Sequence, residues 1–253
     1  MTARRIALTV AMLFACIAHA QDLTYTVVDT GQDVAYDEAQ AVSAPAVGEA
    51  FFGQDAHYTT NAPSYQDNDD GTVTDLNTGL MWQQTPDFAD KLTWDAAVMR
   101  GDDFELAGHD DWRLPTIKEL YSLIQFIGGS GQTAAESTPY LDTTFFDFEY
   151  PDADSGERVI DAQYWSSTLY VGTTRGGNAT AFGVNFADGR IKGYPVDTGP
   201  RGKPKTCYVR YVRGATTYGV NEFTANDDDT VTDAATGLMW ARADSGDAMD
   251  WEA

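Results

Sequence analysis

The sequence predicts an α+β fold: a domain with two helices in its first half and antiparallel hairpins in its second, followed by a truncated second copy of the same unit. Three observations carry this prediction. Apolar residues recur at helical spacing between about residues 93 and 128. Turn residues between short strand-like runs dominate from Tyr164 onward. An eleven-residue block, Thr72-Val73-Thr74-Asp75-Leu76-Asn77-Thr78-Gly79-Leu80-Met81-Trp82, recurs 158 residues later as Thr230 to Trp240 with two positions changed. That offset is a domain length rather than a solenoid period. Helices followed by separate hairpins belong to the α+β class.

The elements follow in order. The turn Asp69-Asp70-Gly71 leads into a short strand through Val73. Asn77-Thr78-Gly79 returns the chain into the strand Leu80-Met81-Trp82, because Asn and Gly adopt the backbone angles of a tight hairpin at little cost. Thr93 caps a helix with Trp94, Ala97 and Val98 on one face and Gly108 as its expected end. Behind Pro115, Thr116 and Glu119 form a capping box. Ile117, Leu120, Tyr121, Ile124 and Ile127 then follow at helical spacing, with Gly128-Gly129 as the expected stop. Ala181 to Phe186 reads as a strand, Asp188-Gly189 as a hairpin turn, Arg190 to Tyr194 as the return strand and Tyr208 to Val212 as a closing strand. Trp94-Asp95-Ala96 is echoed by Trp251-Glu252-Ala253, where the second copy breaks off.

The N-terminus reads as an export signal. Arg4 and Arg5 precede the apolar run Ile6 to Ile17, and Ala18-His19-Ala20 supplies the small residues of a cleavage site before Gln21. The run is too short for a permanent membrane helix, which takes about 20 residues. Leu13-Phe14-Ala15-Cys16 resembles a lipid-attachment box, but Phe14 is bulky for its position and simple cleavage is the preferred reading. The expected organisation is a signal peptide at 1–20, an N-terminal extension at 21–63, a complete domain at 64–214 and the start of a second copy at 215–253. Residues beyond about 216 are expected to pack poorly for want of core partners.

Composition limits the partners. The chain carries a formal net charge of −23, and loss of residues 1–20 removes two arginines and no acid, leaving −25. Such a surface repels nucleic acid, heparin-like polyanions and anionic lipid. No apolar stretch after the signal is long enough for a transmembrane helix. An aromatic content of 12% is ample for a packed core. Cys207 is the only cysteine besides Cys16, so the mature chain has neither an internal disulfide nor a cysteine metal cluster.

Five segments carry a family resemblance: Asp70-Gly71-Thr72-Val73-Thr74-Asp75, Thr78-Gly79-Leu80-Met81-Trp82, Asp111-Trp112-Arg113-Leu114-Pro115-Thr116, Tyr164-Trp165-Ser166-Ser167-Thr168 and Val209-Arg210-Tyr211-Val212-Arg213. Together they resemble the C-terminal domain of the Legionella collagen-like adhesin over about residues 64–214, with a restart near Asn221. The resemblance implies a compact C-type lectin-like fold within the α+β class, and adhesion or glycan binding at a cell surface. Two departures stand out: the chain has no Gly-X-Y stalk, and its negative charge does not suit sulfated glycosaminoglycans.

The candidate chemistry is limited. Asp67, Asp69, Asp70 and Asp75 surround Gly71 and offer hard oxygen ligands for calcium, although the spacing is not that of an EF-hand. The alternative is a solvated turn built from Asp and Gly. His109 beside Asp110 and Asp111 is a candidate acid–base group or a loop histidine. Arg113 is expected to pair with Glu119 or Asp111. Trp82, Trp94, Trp112 and Trp165 are candidates for a sugar-stacking platform or for the core. No catalytic residue is assigned. The preferred reading is a secreted or surface-exposed binding module for a glycan or a surface protein. The alternatives are a structural spacer and an enzyme of the formylglycine-generating type, whose copper-holding cysteine pair is missing here.

Overall fold

The structure, a computed structural model, describes residues 23–198 and 202–248. The expected signal peptide, Cys16 and Trp251 lie outside the described residues. The fold is mixed α and β, built mostly from small antiparallel sheets. The chain forms β1 (Ala35–Tyr36), β2 (Ala41–Val42), β3 (Tyr65–Asp67), β4 (Thr72–Asp75), β5 (Met81–Gln83), α1 (Trp94–Asp102) and α2 (Ile117–Tyr121). It continues through β6 (Gln163–Leu169), β7 (Thr180–Asn185), β8 (Arg190–Pro195), β9 (Val212–Arg213), β10 (Phe223–Ala225), β11 (Thr230–Asp233) and β12 (Leu238–Ala241). The sheets run β1-β2, β3-β4-β5-β9, β6-β7-β8 and β10-β11-β12.

The Asn77-Thr78-Gly79 turn joins β4 to β5, with Gly79 at φ +70° and its amide donating to the Asp75 carbonyl at 2.8 Å. Strand alternation then aims Val73, Leu80 and Trp82 at one face, where all three are fully buried. They meet Leu120 and Leu123 from the α2 region and Tyr164, Val184 and Phe186 from the second sheet, forming the main core. Burial of side chains this large stabilises the fold by about 1.5–3 kcal/mol each. A second cluster gathers Leu92, Ala97, Trp112, Leu114, Trp165 and Tyr211 on the other side. The closing segment ties the sheets together: Cys207 bridges Leu92, Tyr208 bridges Tyr164, and β9 pairs with β5. Within it, the buried Arg210 guanidinium donates to the carbonyls of Gln83 and Asp147 at 2.7 and 2.6 Å.

Both expected helices exist and both are shorter than their sequence patterns. Thr93 caps α1 by accepting from the Ala96 amide at 3.3 Å, but the helix ends at Asp102, not at Gly108. Gly101-Asp102-Asp103 is weak helix sequence, and Phe104 leaves the helix line to pack on Trp112 and Tyr211. Gly108, at φ +76°, serves a separate turn in which Leu106 and His109 exchange backbone hydrogen bonds. The Thr116–Glu119 capping box forms as expected. The helix behind it lasts only five residues. The amides of Ser122, Leu123 and Ile124 still bond locally, to Lys118, Leu120 and Tyr121, and tertiary acceptors then take over: Gln125 donates to the Tyr140 carbonyl at 3.1 Å and Phe126 to that of Thr30 at 2.8 Å. Ile124 is buried, but Ile127 is 55% exposed. Gly128 is not a helix stop; a Cβ there would meet the Tyr140 ring at 2.5 Å, so close packing demands glycine.

The extension crosses the domain and reaches the tail. Tyr25 packs on Tyr218 with ring centroids 5.1 Å apart, and Thr24 donates to the Ala235 carbonyl at 3.0 Å. The expectation of a loose tail therefore fails at the linker, where Tyr218 is buried, and at the β11–β12 turn, where Asp233 and Ala235 are buried. It holds at β12, where every residue is exposed.

Candidate functional site

The acidic turn between β3 and β4 uses its side chains on itself. Asp67 accepts from the Asp69 amide at 2.8 Å and from Gln84 Nε2 at 3.0 Å. One Asp70 oxygen accepts from the Thr72 amide and hydroxyl at 3.1 and 2.6 Å. Asn68 Nδ2 donates to the Thr72 and Thr74 hydroxyls. Asp75 stands at the far end of β4, buried, with Oδ1 accepting from the Asn77 and Thr78 amides. The structure does not bring Asp67, Asp69, Asp70 and Asp75 to one point. Among the described residues no group of three or more His, Cys, Asp or Glu is placed to hold a metal ion. The tail repeats the turn: Asn226 donates to the Thr230 and Thr232 hydroxyls, and Asp228 accepts from Thr230. Where the first turn has Gly71 at φ +85°, the second has Asp229 at φ +61°, a conformation that Asp tolerates better than most residues. The same Asx-type hydrogen bonds recur in both turns, at the same spacing.

The remaining candidates fall into structural roles. Arg113 makes a two-armed ion pair with the buried Glu119, at 2.7 and 2.6 Å, and Glu119 also accepts from the Thr116 amide at 2.7 Å. Asp111 is engaged by Arg213 at 2.6 Å. Trp82, Trp112 and Trp165 are core residues, and Trp94 packs against the second cluster while donating to the Ser166 carbonyl at 2.9 Å. Cys207 is buried, and burial pushes its thiol up to about 12, so it is no nucleophile near neutral pH.

Among the described residues, a sizeable cleft lies beside β8, in a region the motifs did not point to. A cleft of about 670 Å³ is lined by Arg158, Asp161, Gln163, Thr174, Asn178, Tyr194, Thr198 and Lys205, with Gly193 and Pro195. The sheet fixes its central ring. Tyr194 pairs with Ala181 across β7–β8 and rests edge-on against the buried Trp165, centroids 5.8 Å apart. Lys205 lies over that ring, Nζ 5.5 Å from its centroid, and donates to Gln163 Oε1 at 3.2 Å. Arg158 grips Asp161 through Nη2 and Nε at 2.6 and 3.2 Å. That grip, against the cost of burial, holds the Asp161 carboxyl down to about 2, so the pair stays ionised through neutral pH. The Tyr194 hydroxyl is buried without a hydrogen-bond partner. Burial raises its pKa, so it keeps its proton. The cleft thus combines an aromatic face, amide and hydroxyl groups and a neutralised ion pair, which is what recognition of a polyhydroxylated ligand needs.

The missed signal was local charge. Residues 158–205 hold seven of the sixteen Lys and Arg and only three of the 39 acids. Only Arg201-Gly202-Lys203-Pro204-Lys205 stands out as a linear run; the strand pairing that brings Lys205 to Tyr194 is long-range.

Comparison with known proteins gives one finding. The sequence model of the Lcl C-terminal domain matches residues 71–213. No curated protein and no solved structure matches the chain.

Proposed function

The chain belongs to the Lcl C-terminal domain family, and on that premise we propose that it is a surface-displayed binding module, delivered by its N-terminal signal, whose β8 cleft takes an uncharged glycan. The reading is that of an adhesin domain with a C-type lectin-like arrangement. The observation that carries it is the Tyr194 ring, braced by Trp165, with an unmatched buried hydroxyl at the cleft. Sugars present apolar faces that stack on such rings and hydroxyls that pair with amides and carboxylates. The cations around the cleft are largely committed: Arg158 to Asp161, Lys192 to Asp188, and Lys205 to Gln163 and the Tyr194 ring. The net charge of −23 opposes long polyanions.

A glycan array, run with and without calcium and at two salt concentrations, tests this. The expected result is binding to a neutral glycan that changes little with salt or calcium and weakens about tenfold or more in Tyr194→Ala, as loss of an anchoring aromatic does. Tyr194→Phe isolates the hydroxyl. Heparin binding that fades with salt, or glycan binding indifferent to Tyr194, would sink the reading. Binding to nothing on the array favours the spacer role.

A further inference from the structure

We propose that Lys118, Asn221 and Asp233 form a modification site at which the Lys118 amine displaces the side-chain ammonia of Asn221, joining α2 to the segment before β10 by an isopeptide bond. The three side chains make one line of contacts. Lys118 Nζ donates to Asn221 Oδ1, and Asn221 Nδ2 donates to Asp233 Oδ2. The amide carbon thus stands between an amine and a carboxylate, which are the nucleophile and the proton carrier that acyl transfer from an amide needs.

The fold brings these groups together from three places. Lys118 lies in the first turn of α2. Gly219, at φ +76°, lets the linker pass close to that helix: a Cβ there would meet the Lys118 Cβ at 2.8 Å. The Gly219 carbonyl accepts from Lys118 Nζ at 2.7 Å and holds the amine beside the linker. Tyr218 is buried and packs on Tyr25, whose ring centroid lies 5.9 Å from Nζ. Asp233, 1% exposed, ends β11, with Oδ1 accepting from the Glu222 amide and Oδ2 from the Thr236 hydroxyl, both at 2.8 Å. Burial lowers the Lys118 pKa against the pull of Asp233, which favours the uncharged, attacking amine. The hairpin itself does not call for Asn221. In the first unit Asp75 takes the place of Asp233, paired with Tyr65 as Asp233 is with Phe223, and Pro63 stands where Asn221 does.

The step balances without a co-reactant. The uncharged Lys118 amine attacks Asn221 Cγ, and Asp233 Oδ2 takes one proton from Nζ and returns it to Nδ2. The Nζ–Cγ bond forms, the Cγ–Nδ2 bond breaks, and ammonia leaves. No atom changes oxidation state, so the link needs no oxidant and no second cysteine; among the described residues Cys207 is the one cysteine. The bond spans 103 positions of sequence and fastens the second hairpin unit to the first.

The test is a proteolytic peptide map of the whole protein, denatured and read by tandem mass spectrometry. The expected product is a branched peptide joining the segments that carry Lys118 and Asn221, lighter than their sum by one ammonia. Reading the linked peptide, not the whole mass, sets aside ammonia lost elsewhere in the chain. Lys118→Arg keeps the charge without the nucleophile, and is expected to abolish the branched peptide and lower the melting temperature. Asp233→Asn, with circular dichroism to show that it is folded, is expected to cut the rate of linkage about a hundredfold or more, as loss of a proton carrier does. Separate, unmodified Lys118 and Asn221 peptides from the folded wild-type protein overturn the proposal, as does a link at other residues or equal linkage in Asp233→Asn. The wild-type map decides the proposal by itself if that variant does not fold.

Discussion

The two hairpin units are nearly one sequence in two surroundings. Both fold their turns alike, with Gly79 and Gly237 at φ +70° and +71° and with matching Asn–Thr hydrogen bonds. Their side chains fare differently: Trp82 is fully buried and Trp240 is 55% exposed. The local sequence is enough to build turn, register and face. What buries the face is supplied from elsewhere in the chain: α2, β6, β7 and β9. The equivalent aspartates diverge in the same way. Asp75 has one carboxylate oxygen buried without a partner, and burial raises its pKa against the help of Thr78 and Asn77. At Asp233 burial also pushes upward, but hydrogen bonds from Glu222, Asn221, Thr236 and Ala235 prevail and hold its pKa below the usual value.

The largest contrast should come from the tryptophans. Trp82→Ala is expected to cost about 3–5 kcal/mol, the range for emptying a large aromatic site in a core. Trp240→Ala is expected to stay within about 0.5 kcal/mol, as at an exposed surface. Urea denaturation of the two variants measures both, and equal losses would mean that the second unit is buried in solution.

A smaller effect separates the units by location. Thr116→Ala removes the acceptor for the Glu119 amide and is expected to cost about 1 kcal/mol, as a lost helix cap does. The cost should appear in the melting of the complete unit and leave the fluorescence of Trp240 unchanged. An unchanged melting curve would show that the cap contributes nothing.

The aspartates give the smallest and most pH-dependent contrast. Asp75 binds its proton more tightly in the folded chain than in the unfolded one. Its ionisation therefore costs stability, a cost that sets in as pH rises above the unfolded value of about 4. Asp75→Asn is expected to raise the melting temperature at pH 7, with the gain vanishing near pH 4. Asp233 has the opposite sign: its contribution is present above the unfolded pKa and lost as pH falls through the lower folded value. Asp233→Asn is expected to loosen the tail at pH 7, read as faster proteolysis after residue 216. Matching pH profiles for the two variants would erase the distinction.

What was legible in the sequence follows from range. The hairpin turns, the Thr93 cap and the Thr116–Glu119 box depend on residues within a few positions, and all are found. The length of α2 was not legible, because the turn behind it tightens and the Gln125 and Phe126 amides go to the distant carbonyls of Tyr140 and Thr30. The Arg113–Glu119 pair was legible at a separation of six residues, whereas Tyr194, Lys205 and Gln163 meet only through strand pairing and a returning loop. The acidic turn was legible as a turn built from Asp and Gly, because Asx hydrogen bonds reach only two residues along the chain.

Native-state hydrogen exchange tests the central contrast most directly, because it reads both units in one molecule. Amides of β4 and β5 should exchange only through global unfolding, with protection that tracks the urea stability of the whole domain. Amides of β12, and of β11 where it faces β12, should exchange through local opening, and Trp82→Ala should lower protection in the first unit alone. Equal protection in the two units, falling together in that variant, would contradict the account and place the second unit inside a common core.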